Sequence, residues 1–391
     1  MRLKTMVATF TFACCPVFAA VPFNCNGGIP LQTAIDFSFP GETLLLSGTC
    51  SGPVTITTRN LTLASKNGAV LDGQKKDAVT VKGPARVTLD SLTIQHGNNG
   101  VSASGGAQLT IVNSLIQNNA LNGILLAGGS SVTLSGTSTI GNGINGLDAE
   151  ASSSVILAGS YQSKGNGVFG VNINASSSLT LTHAHVVVSG NTLGIQIGTS
   201  AAAFISDSNT TLVASDNATT GLTIVSGAHM VAFGGSIQTT GNGFHGVSID
   251  SKAGLDLDAA AVLTATGNKQ DGVHLEETSV LTMFNTTAFS GAPGVTTLNA
   301  LNNGLNGVSV LTGSNLTVIH QAALNSMGNA VDGIQVDNGS SITLVGSNVS
   351  SNGKDIALSF GSRGDITSST VGTLSCDASV LLRNFAAKCP Q

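Results

Sequence analysis

The chain has 391 residues, of which 49 are glycine, one is tyrosine, none is tryptophan and only 9% are charged. This composition suits many short strands joined by turns and argues against helices. The formal net charge is −5 and no basic stripe occurs, which argues against a nucleic-acid partner.

The N-terminus has the features of a secretory signal peptide. Residues 1–19 begin with MRLK, continue with an apolar run and end in small residues near Ala19. The apolar run is shorter than the ~20 residues that a membrane span needs, and no later segment is apolar for long enough to cross a bilayer. The sequence therefore predicts a secreted protein, extracellular or periplasmic, without a transmembrane segment.

Four cysteines follow the predicted signal peptide: Cys25, Cys50, Cys376 and Cys389. Secretion permits disulfide bonds. Two cysteines lie near each end of the chain, so we predict the pairs Cys25–Cys50 and Cys376–Cys389, each of which fixes one terminus. Four free thiols are the alternative, and the wide spacing argues against a zinc site.

Residues 20–60 are expected to form an N-terminal cap and the first strands. The stretch PLQTAIDFSF, residues 30–39, has apolar residues at helical spacing in Leu31, Ala34 and Ile35. It predicts a short helix that covers the apolar end of the stack of strands that follows.

Residues 61–375 read as a repeat, and residues 376–391 as a C-terminal cap. The repeat centres on a glycine, here called the repeat glycine, found at positions 100, 123, 146, 170, 194, 221, 246, 272, 307 and 333. An apolar–polar–apolar run follows each one, then a second strand such as SVTLS at 131–135, then a third such as HVVVS at 185–189. Alternation with period two indicates strands. Turns of three short strands predict an all-β fold, a single-stranded right-handed parallel β-helix.

An asparagine usually precedes the repeat glycine by four residues. These asparagines are at positions 119, 142, 166, 191, 217, 242, 268, 303, 329 and 352. We predict that they stack at one corner as a ladder of hydrogen-bonded amides. The same corner produces G-x-G-x-x-G three times, at 141–146, 165–170 and 241–246. Because a dinucleotide site needs one such loop between a strand and a helix, the repetition argues against nucleotide binding.

The stretch IPLQTAIDFSFPGETLLLSGTCSGPVTI and the later repeat turns resemble bacterial members of the pectin-lyase-like β-helix superfamily. The resemblance covers nearly the whole mature chain and implies the fold. It implies less about activity, because this fold carries lyases, hydrolases, epimerases, tailspikes and adhesins. The motifs Asn-Thr-Asp, Gly-His-Gly and Asp-Pro-His-Asp of known enzymes in the superfamily are absent.

In enzymes of that superfamily the cleft runs along outward residues of stacked strands. The residues two and four after each repeat glycine should point outward, and the residue just before it adds His245, Asp271 and Asp332 to this outward set. The first patch of such residues, taken as substrate-binding candidates, is Asp148, Glu150, Asn172, Asn174 and Gln196. The second patch consists of the catalytic candidates His245, Asp250, Asp271, His274 and Glu276, with Ser248 as a further binding candidate.

Asp250 and Glu276 occupy equivalent places one turn apart in the second patch. Mutual repulsion should raise one of their pKa values, as acid–base hydrolysis of a sugar linkage requires. His245 or His274 would carry protons near neutral pH. The long insertion at 284–304 is expected to wall this patch. The alternative is that both patches are only the solvated face of a soluble solenoid.

Two functions follow from these features. The first is a secreted, non-catalytic scaffold, expected to be a monomer, that presents a polar face to a polysaccharide or to a cell-surface or matrix component. The second is a polysaccharide lyase, glycoside hydrolase or epimerase that acts on an acidic or neutral glycan at the second patch. No cofactor or metal is predicted, and calcium, held by carboxylate and amide oxygens, is the alternative.

Overall fold

The computed structural model describes residues 20–57, 60–286, 294–385 and 389. The predicted signal peptide, residues 1–19, lies outside them. The described chain contains one helix and 42 strands, and the strands pair in parallel. No helix among the described residues is both long and apolar enough to span a bilayer. The predicted all-β parallel solenoid is confirmed.

The strands form three stacks, and each turn of the chain passes once through each stack. The first stack is a separate 14-stranded sheet, here called the first sheet. Its strands are Val54–Thr57, Val79–Lys82, Val101–Ser104, Ile124–Leu126, Leu147–Ala149, Phe169–Ile173, Leu193–Ile197, Leu222–Ile224, Val247–Ile249, Val273–Leu275, Val308–Val310, Asp332–Val336, Lys354–Leu358 and Leu374–Cys376.

The second and third stacks are joined into one 28-stranded sheet by the long strands Ser154–Lys164 and Ser178–Ser189. The remaining strands of the second stack are Val21–Asn24, Glu42–Ser47, Asn60–Ser65, Arg86–Asp90, Gln108–Val112, Ser131–Ser135, Ala202–Ile205, His229–Phe233, Gly254–Asp258, Val280–Met283, Asn315–Val318, Ser341–Val345, Arg363–Thr367 and Leu381–Arg383. Those of the third stack are Thr49–Ser51, Val70–Asp72, Thr93–Gln95, Leu115–Gln117, Thr137–Ile140, Thr211–Ser215, Ser236–Thr240, Val262–Thr266, Thr297–Leu301, Ala323–Met327, Asn348–Ser350 and Thr370–Val371.

The core fills the inside of the coil. Along a strand, alternate side chains point inward, so Ile124 and Leu126 are fully buried while Leu125 between them faces outward. The same positions in the next turns carry Leu147 and Ala149, also fully buried. Because each turn buries its apolar side chains on those of its neighbours, the solenoid has one continuous core.

Both ends of the solenoid are fixed as the sequence predicted. The helix Leu31–Phe37 covers the N-terminal end of the core, with Leu31 and Ile35 buried. The disulfide bond Cys25–Cys50 ties the first strand to the first turns. At the other end Cys376 pairs with Cys389.

The asparagine ladder is present along the corner that precedes the first sheet. In a representative rung, the side-chain amide of Asn242 donates to Oδ1 of Asn268 over 3.0 Å, and the backbone N–H of Asn242 donates to the same oxygen over 3.1 Å. Nδ2 of Asn242 also reaches the carbonyl of Ala214 at 3.0 Å. Equivalent bonds join the successive asparagines from Asn119 to Asn352. The ladder therefore gives the buried amide groups the hydrogen-bond partners that water would otherwise supply, and it fixes the stacking of consecutive turns.

The ladder also explains the repeat glycine. A Cβ atom on Gly246 would lie 2.6 Å from the carbonyl oxygen of Gly272 in the next turn and 2.7 Å from Nδ2 of Asn268. No side chain fits in that space, so the glycine is required by close approach of the backbone and the ladder.

Asn242→Ala tests how much the ladder stabilises the fold. The change leaves the buried N–H groups of Asn217 without their acceptor, so we expect a loss of at least about 2 kcal/mol in the free energy of unfolding. Urea unfolding followed by circular dichroism measures it. Asn209→Ala, at an exposed position, is the matched control and should change stability little. Equal effects of the two variants would contradict a stabilising role of the ladder.

Candidate functional site

Strand register places equivalent outward residues of the first sheet side by side. Asp148 pairs with Asn172, Asn172 with Gln196, and Ser248 with His274. The whole row is Asp148, Asn172, Gln196, Thr223, Ser248, His274, Ser309 and Gln335. A second row, just after the strands, contains Glu150, Asn174, Gly198, Val225, Asp250, Glu276, Leu311 and Asp337. These two rows are here called the polar face.

The first patch is a connected hydrogen-bond network. Nε2 of Gln196 donates to Oδ1 of Asn172 over 3.2 Å, and Nδ2 of Asn172 donates to Oδ1 of Asp148 over 2.9 Å. Nδ2 of Asn145 donates to the other oxygen of Asp148 over 3.0 Å. Burial raises the pKa of Asp148, although these bonds partly offset the effect. The patch is therefore held in one arrangement before any ligand arrives.

The other two members of the first patch border this network. Glu150 is exposed, and its charge adds to the rise in the pKa of Asp148. Asn174 is half-buried, and its Oδ1 accepts the backbone N–H of Ala175.

The second patch also comes together in space. Nδ1 of His274 lies 2.9 Å from Oδ2 of Asp271, and its Nε2 lies 3.4 Å from Oε2 of Glu276. The ring of His245 stacks on that of His274, with centroids 4.3 Å apart and planes 23° apart. The five predicted catalytic candidates thus form one cluster, to which Ser248 belongs through a 2.7 Å hydrogen bond from its Oγ to Oδ2 of Asp250.

His245 and Asp271 differ from the expectation that they point outward, since both are buried. Both residues lie directly before a repeat glycine. Asn99 and Asn122 hold the same position in earlier turns, and there Oδ1 of Asn99 accepts the backbone N–H of Asn122. In the same way Nδ1 of His245 accepts the N–H of Asp271 over 3.3 Å, and Oδ1 of Asp271 accepts the N–H of Asn306 over 3.0 Å. The two residues therefore belong to a second ladder, and Asn in this column at 99, 122, 145 and 306 was the sequence signal for it.

The cluster shifts the pKa values of its members in different directions. Burial, and then the neighbouring His274, lowers the pKa of His245 to about 4, while Asp271 opposes the shift. Burial also acts to lower the pKa of His274, but the hydrogen bond and charge of Asp271 outweigh it and leave that pKa raised. The pKa of Asp250 is raised, chiefly by burial. Repulsion from Glu276, the cause expected from the sequence, is a secondary contribution.

The described part of the insertion does not wall the second patch, which corrects the expectation. Residues 297–301 are a strand of the third stack, and the backbone N–H of Thr286 donates to Oδ1 of Asp258 over 2.7 Å. The described ends of the insertion therefore lie at the bend between the second and third stacks, which does not border the first sheet, and residues 287–293 lie outside the described residues. The length of a repeat shows that residues are added but not at which of the three bends.

An interrupted row of exposed apolar residues, here called the apolar ridge, runs beside the polar face and was not predicted as a row from the sequence. Its residues lie two positions before the repeat glycine and are 38–45% exposed: Leu121, Ile144, Val168, Phe244, Leu305 and Val331. Leu121, Ile144 and Val168 stack on one another through backbone hydrogen bonds, as Leu305 and Val331 do, whereas Phe244 lies between Thr219 and Gln270. Phe244 packs edge-on against His245 with centroids 4.8 Å apart. The fixed offset from the repeat glycine was the available signal.

Two groups of side chains in the second patch have donor atoms within 4.8 Å of one another, close enough to be considered for a metal ion. One is His245, Asp271 and His274, and the other is Asp250, His274 and Glu276. In the first group the Nδ1 atom of His245 already accepts a backbone hydrogen bond, and its ring stacks on His274. The lone pair of an imidazole nitrogen lies in the plane of its ring, so the lone pairs of two stacked rings point in nearly parallel planes and do not converge on one point. The first group is therefore poorly arranged to share one ion between both histidines.

Comparison with known proteins agrees with this architecture. A family model described as a right-handed beta helix region matches residues 44–218, which is less than half of the chain. The periplasmic alginate epimerase AlgG is similar in structure, with a TM-score of 0.51 and 14% identity over 91% of this chain and 83% of that one. The A-module of the Azotobacter vinelandii mannuronan C-5 epimerase AlgE4 has a TM-score of 0.51 and 15% identity, over 94% of this chain and 99% of that one. No curated protein sequence matches the chain significantly.

The predicted right-handed parallel β-helix fold is confirmed by these matches. At 14–15% identity the two structures share the fold with this chain, which does not by itself carry their activity over.

His245→Asn tests whether His245 acts as a ladder residue. Asn occupies this column at positions 99, 122, 145 and 306 and can accept the same backbone N–H. As the pH falls from about 6.5 to 5, unfolded wild type gains a proton on this imidazole while the folded state, with a pKa of about 4, does not. The variant should therefore gain stability over wild type by up to about 2 kcal/mol between pH 7.5 and pH 5.

Urea unfolding at the two pH values measures this difference, and His229→Asn, at a half-exposed position on the second stack, is the control. A difference between variant and wild type that does not change with pH would contradict a buried neutral imidazole.

Proposed function

We propose that this protein is a secreted β-helix that binds a polysaccharide along the polar face of the first sheet. The row of polar side chains from Asp148 to Gln335 carries the proposal. Successive turns lie roughly 4.8 Å apart, which is comparable to the length of one sugar residue in an extended chain. A row with this spacing offers successive sugar residues equivalent hydrogen-bonding positions.

The apolar ridge supports a sugar ligand in particular. A pyranose ring has apolar C–H faces and a polar rim of hydroxyl groups, and sugar sites combine an apolar surface with a few placed polar groups. Here the ridge and the polar face run side by side along the same axis. Phe244, which is 44% exposed, is the aromatic side chain of the ridge.

The charge of the surface favours a neutral glycan over an anionic one. Within the polar face and the adjoining second-ladder column, the described turns between residues 99 and 337 contain no lysine or arginine. They contain seven carboxylates: Asp148, Glu150, Asp250, Asp271, Glu276, Asp332 and Asp337. A polyuronate such as a mannuronan would bring further negative charges against them. The expected ligand therefore differs from the substrates named for the two similar structures.

Export is supported by two features that agree with each other. The predicted signal peptide directs the chain out of the cytoplasm. The disulfide bonds Cys25–Cys50 and Cys376–Cys389 are of the kind that persists in an oxidising compartment. Both features fit a protein that meets glycans outside the cell or in the periplasm.

Binding of neutral and anionic polysaccharides to the purified mature chain tests the proposal. We expect a neutral glycan to bind, and Asn172→Ala combined with Gln196→Ala to weaken it at least about tenfold, because two hydrogen-bonding groups of the row are removed. Gln238→Ala, at an exposed position on the third stack, is the control and should bind as wild type. Preference for a polyuronate, or equal binding by both variants, would contradict the proposal.

A second candidate function is glycan lysis, hydrolysis or epimerisation at the second patch. One observation favours it: Asp271 orients the ring of His274, and carboxylate oxygens of Asp250 and Glu276 lie within 4.8 Å of that ring. Paired carboxylates and an oriented imidazole are groups that general acid–base chemistry uses.

Release of reducing or unsaturated sugar ends from the same glycans tests this second function. If it is correct, Glu276→Gln abolishes product without lowering the melting temperature, because Glu276 is nearly half exposed. Gln238→Ala, on the third stack and outside the polar face, should keep full activity. The absence of product from every glycan, or product that survives in Glu276→Gln, would rule it out.

A further inference from the structure

Three potential metal ligands converge at the second patch from two successive turns. Asp250 follows the strand Val247–Ile249, His274 lies in Val273–Leu275, and Glu276 follows that strand. The backbone N–H of Glu276 donates to the carbonyl of Ile249, so the two turns are in register here. One oxygen of each carboxylate and one ring nitrogen of His274 lie within 4.8 Å of one another.

Asp271 fixes which nitrogen of His274 faces this group. Its Oδ2 lies 2.9 Å from Nδ1 of His274, so Nδ1–H donates to the carboxylate and Nε2 is turned toward Glu276. Proteins orient metal-binding histidines in this way, by a carboxylate that accepts the hydrogen bond of the other ring nitrogen. Asp271 is itself held by the backbone N–H of Asn306, so the orientation is fixed by the second ladder.

Asp250 supplies an independent indication of a cation. Its Oδ2 accepts from Ser248, but its Oδ1 is buried and has no hydrogen-bond donor among the described residues. An unpaired buried carboxylate oxygen is costly, and the usual remedies in proteins are a hydrogen bond, a counter-charge or a metal ion. The same carboxylate belongs to the group that also contains His274 and Glu276, to which it contributes one oxygen.

We propose that Asp250, His274 and Glu276 bind one divalent transition-metal ion, for which Zn²⁺ is the expected occupant, and that Asp271 orients His274. An imidazole among the ligands favours Zn²⁺ or a similar ion over Ca²⁺ and Mg²⁺, which prefer oxygen ligands alone. Ligand bonds of about 2.1 Å place neighbouring donor atoms about 3.4 Å apart. The side chain of Glu276, which is 45% exposed, has room to close the remaining distance.

The fourth ligand of such a site would come from solvent or from a bound sugar. Three protein ligands leave one tetrahedral position open, and the exposed side of Glu276 places that position at the polar face. A water molecule or a sugar hydroxyl would fill it. The inference goes beyond glycan binding, because the ion can be measured with no glycan present.

Titration of the untagged mature chain, freed of metal with a chelator, tests the site with the metal ions alone. Isothermal calorimetry should give one equivalent of Zn²⁺, and Zn²⁺ should raise the melting temperature more than Ca²⁺ does. His274→Ala and Glu276→Gln should each weaken binding at least about tenfold. Asp271→Asn should weaken it about 10–100-fold, because Asn retains an acceptor for the backbone of Asn306 but no longer orients the imidazole in the same way.

Glu150→Gln is the matched control, since it removes a carboxylate from the equivalent place of another turn, and it should bind Zn²⁺ as wild type does. Melting temperatures without metal show whether each variant is folded, and Asp271→Asn keeps the test decisive if His274→Ala does not fold. Unchanged Zn²⁺ affinity in Asp271→Asn and Glu276→Gln, binding of Ca²⁺ in preference to Zn²⁺, or no binding of either ion would overturn the proposal. None of these outcomes depends on whether a glycan binds.

Discussion

The stacking of buried asparagine amides at one corner is the interaction on which the structure depends. Each Asn of the ladder after Asn119 accepts the side-chain amide and the backbone N–H of the Asn one turn before it, so consecutive turns are fixed relative to each other. The close approach that this requires leaves space only for hydrogen at the repeat glycine. Because the turns are fixed at the corner just before the first sheet, outward residues of that sheet form straight rows.

The rows explain how a chain with few charged residues builds a polar surface. Polar residues that recur at one repeat position form a column along the axis of the solenoid. Asp148, Asn172 and Gln196 form such a column in the first patch. The second patch arises where His245 and Asp271 replace asparagine in the second ladder. There the substituted residues still accept backbone hydrogen bonds, and both also contact His274, Asp271 through its carboxylate and His245 by ring stacking. A single column thus supports both the fold and the candidate site.

Much of this was predictable from the sequence, because spacing alone determines it. The period of the repeat glycine predicts the parallel stack, the recurring Asn predicts the ladder, and the spacing of Leu31 and Ile35 predicts the cap helix. The burial of individual side chains was not predictable from spacing in the same way. His245 and Asp271 were expected on the surface, but their burial depends on the direction of the chain just before the strand, which alternation within the strand does not specify. The described ends of the insertion at 284–304 lie away from the second patch, and the length of the insertion does not say which bend it extends.

Similarity of fold to two epimerase structures does not specify the ligand of this protein. The ligand has to be inferred from the chemistry of the surface. Seven carboxylates against one neighbouring lysine, Lys354 beside Asp332, together with an apolar ridge, describe a face suited to uncharged sugars. The most direct measurement is a crystal structure of the mature protein with a bound neutral oligosaccharide. The account predicts sugar rings lying along the first sheet, with hydroxyl groups over the row from Asp148 to Gln335 and C–H faces against the ridge that contains Phe244. Sugar bound across the second or third stack, or at the ends of the solenoid, would contradict it.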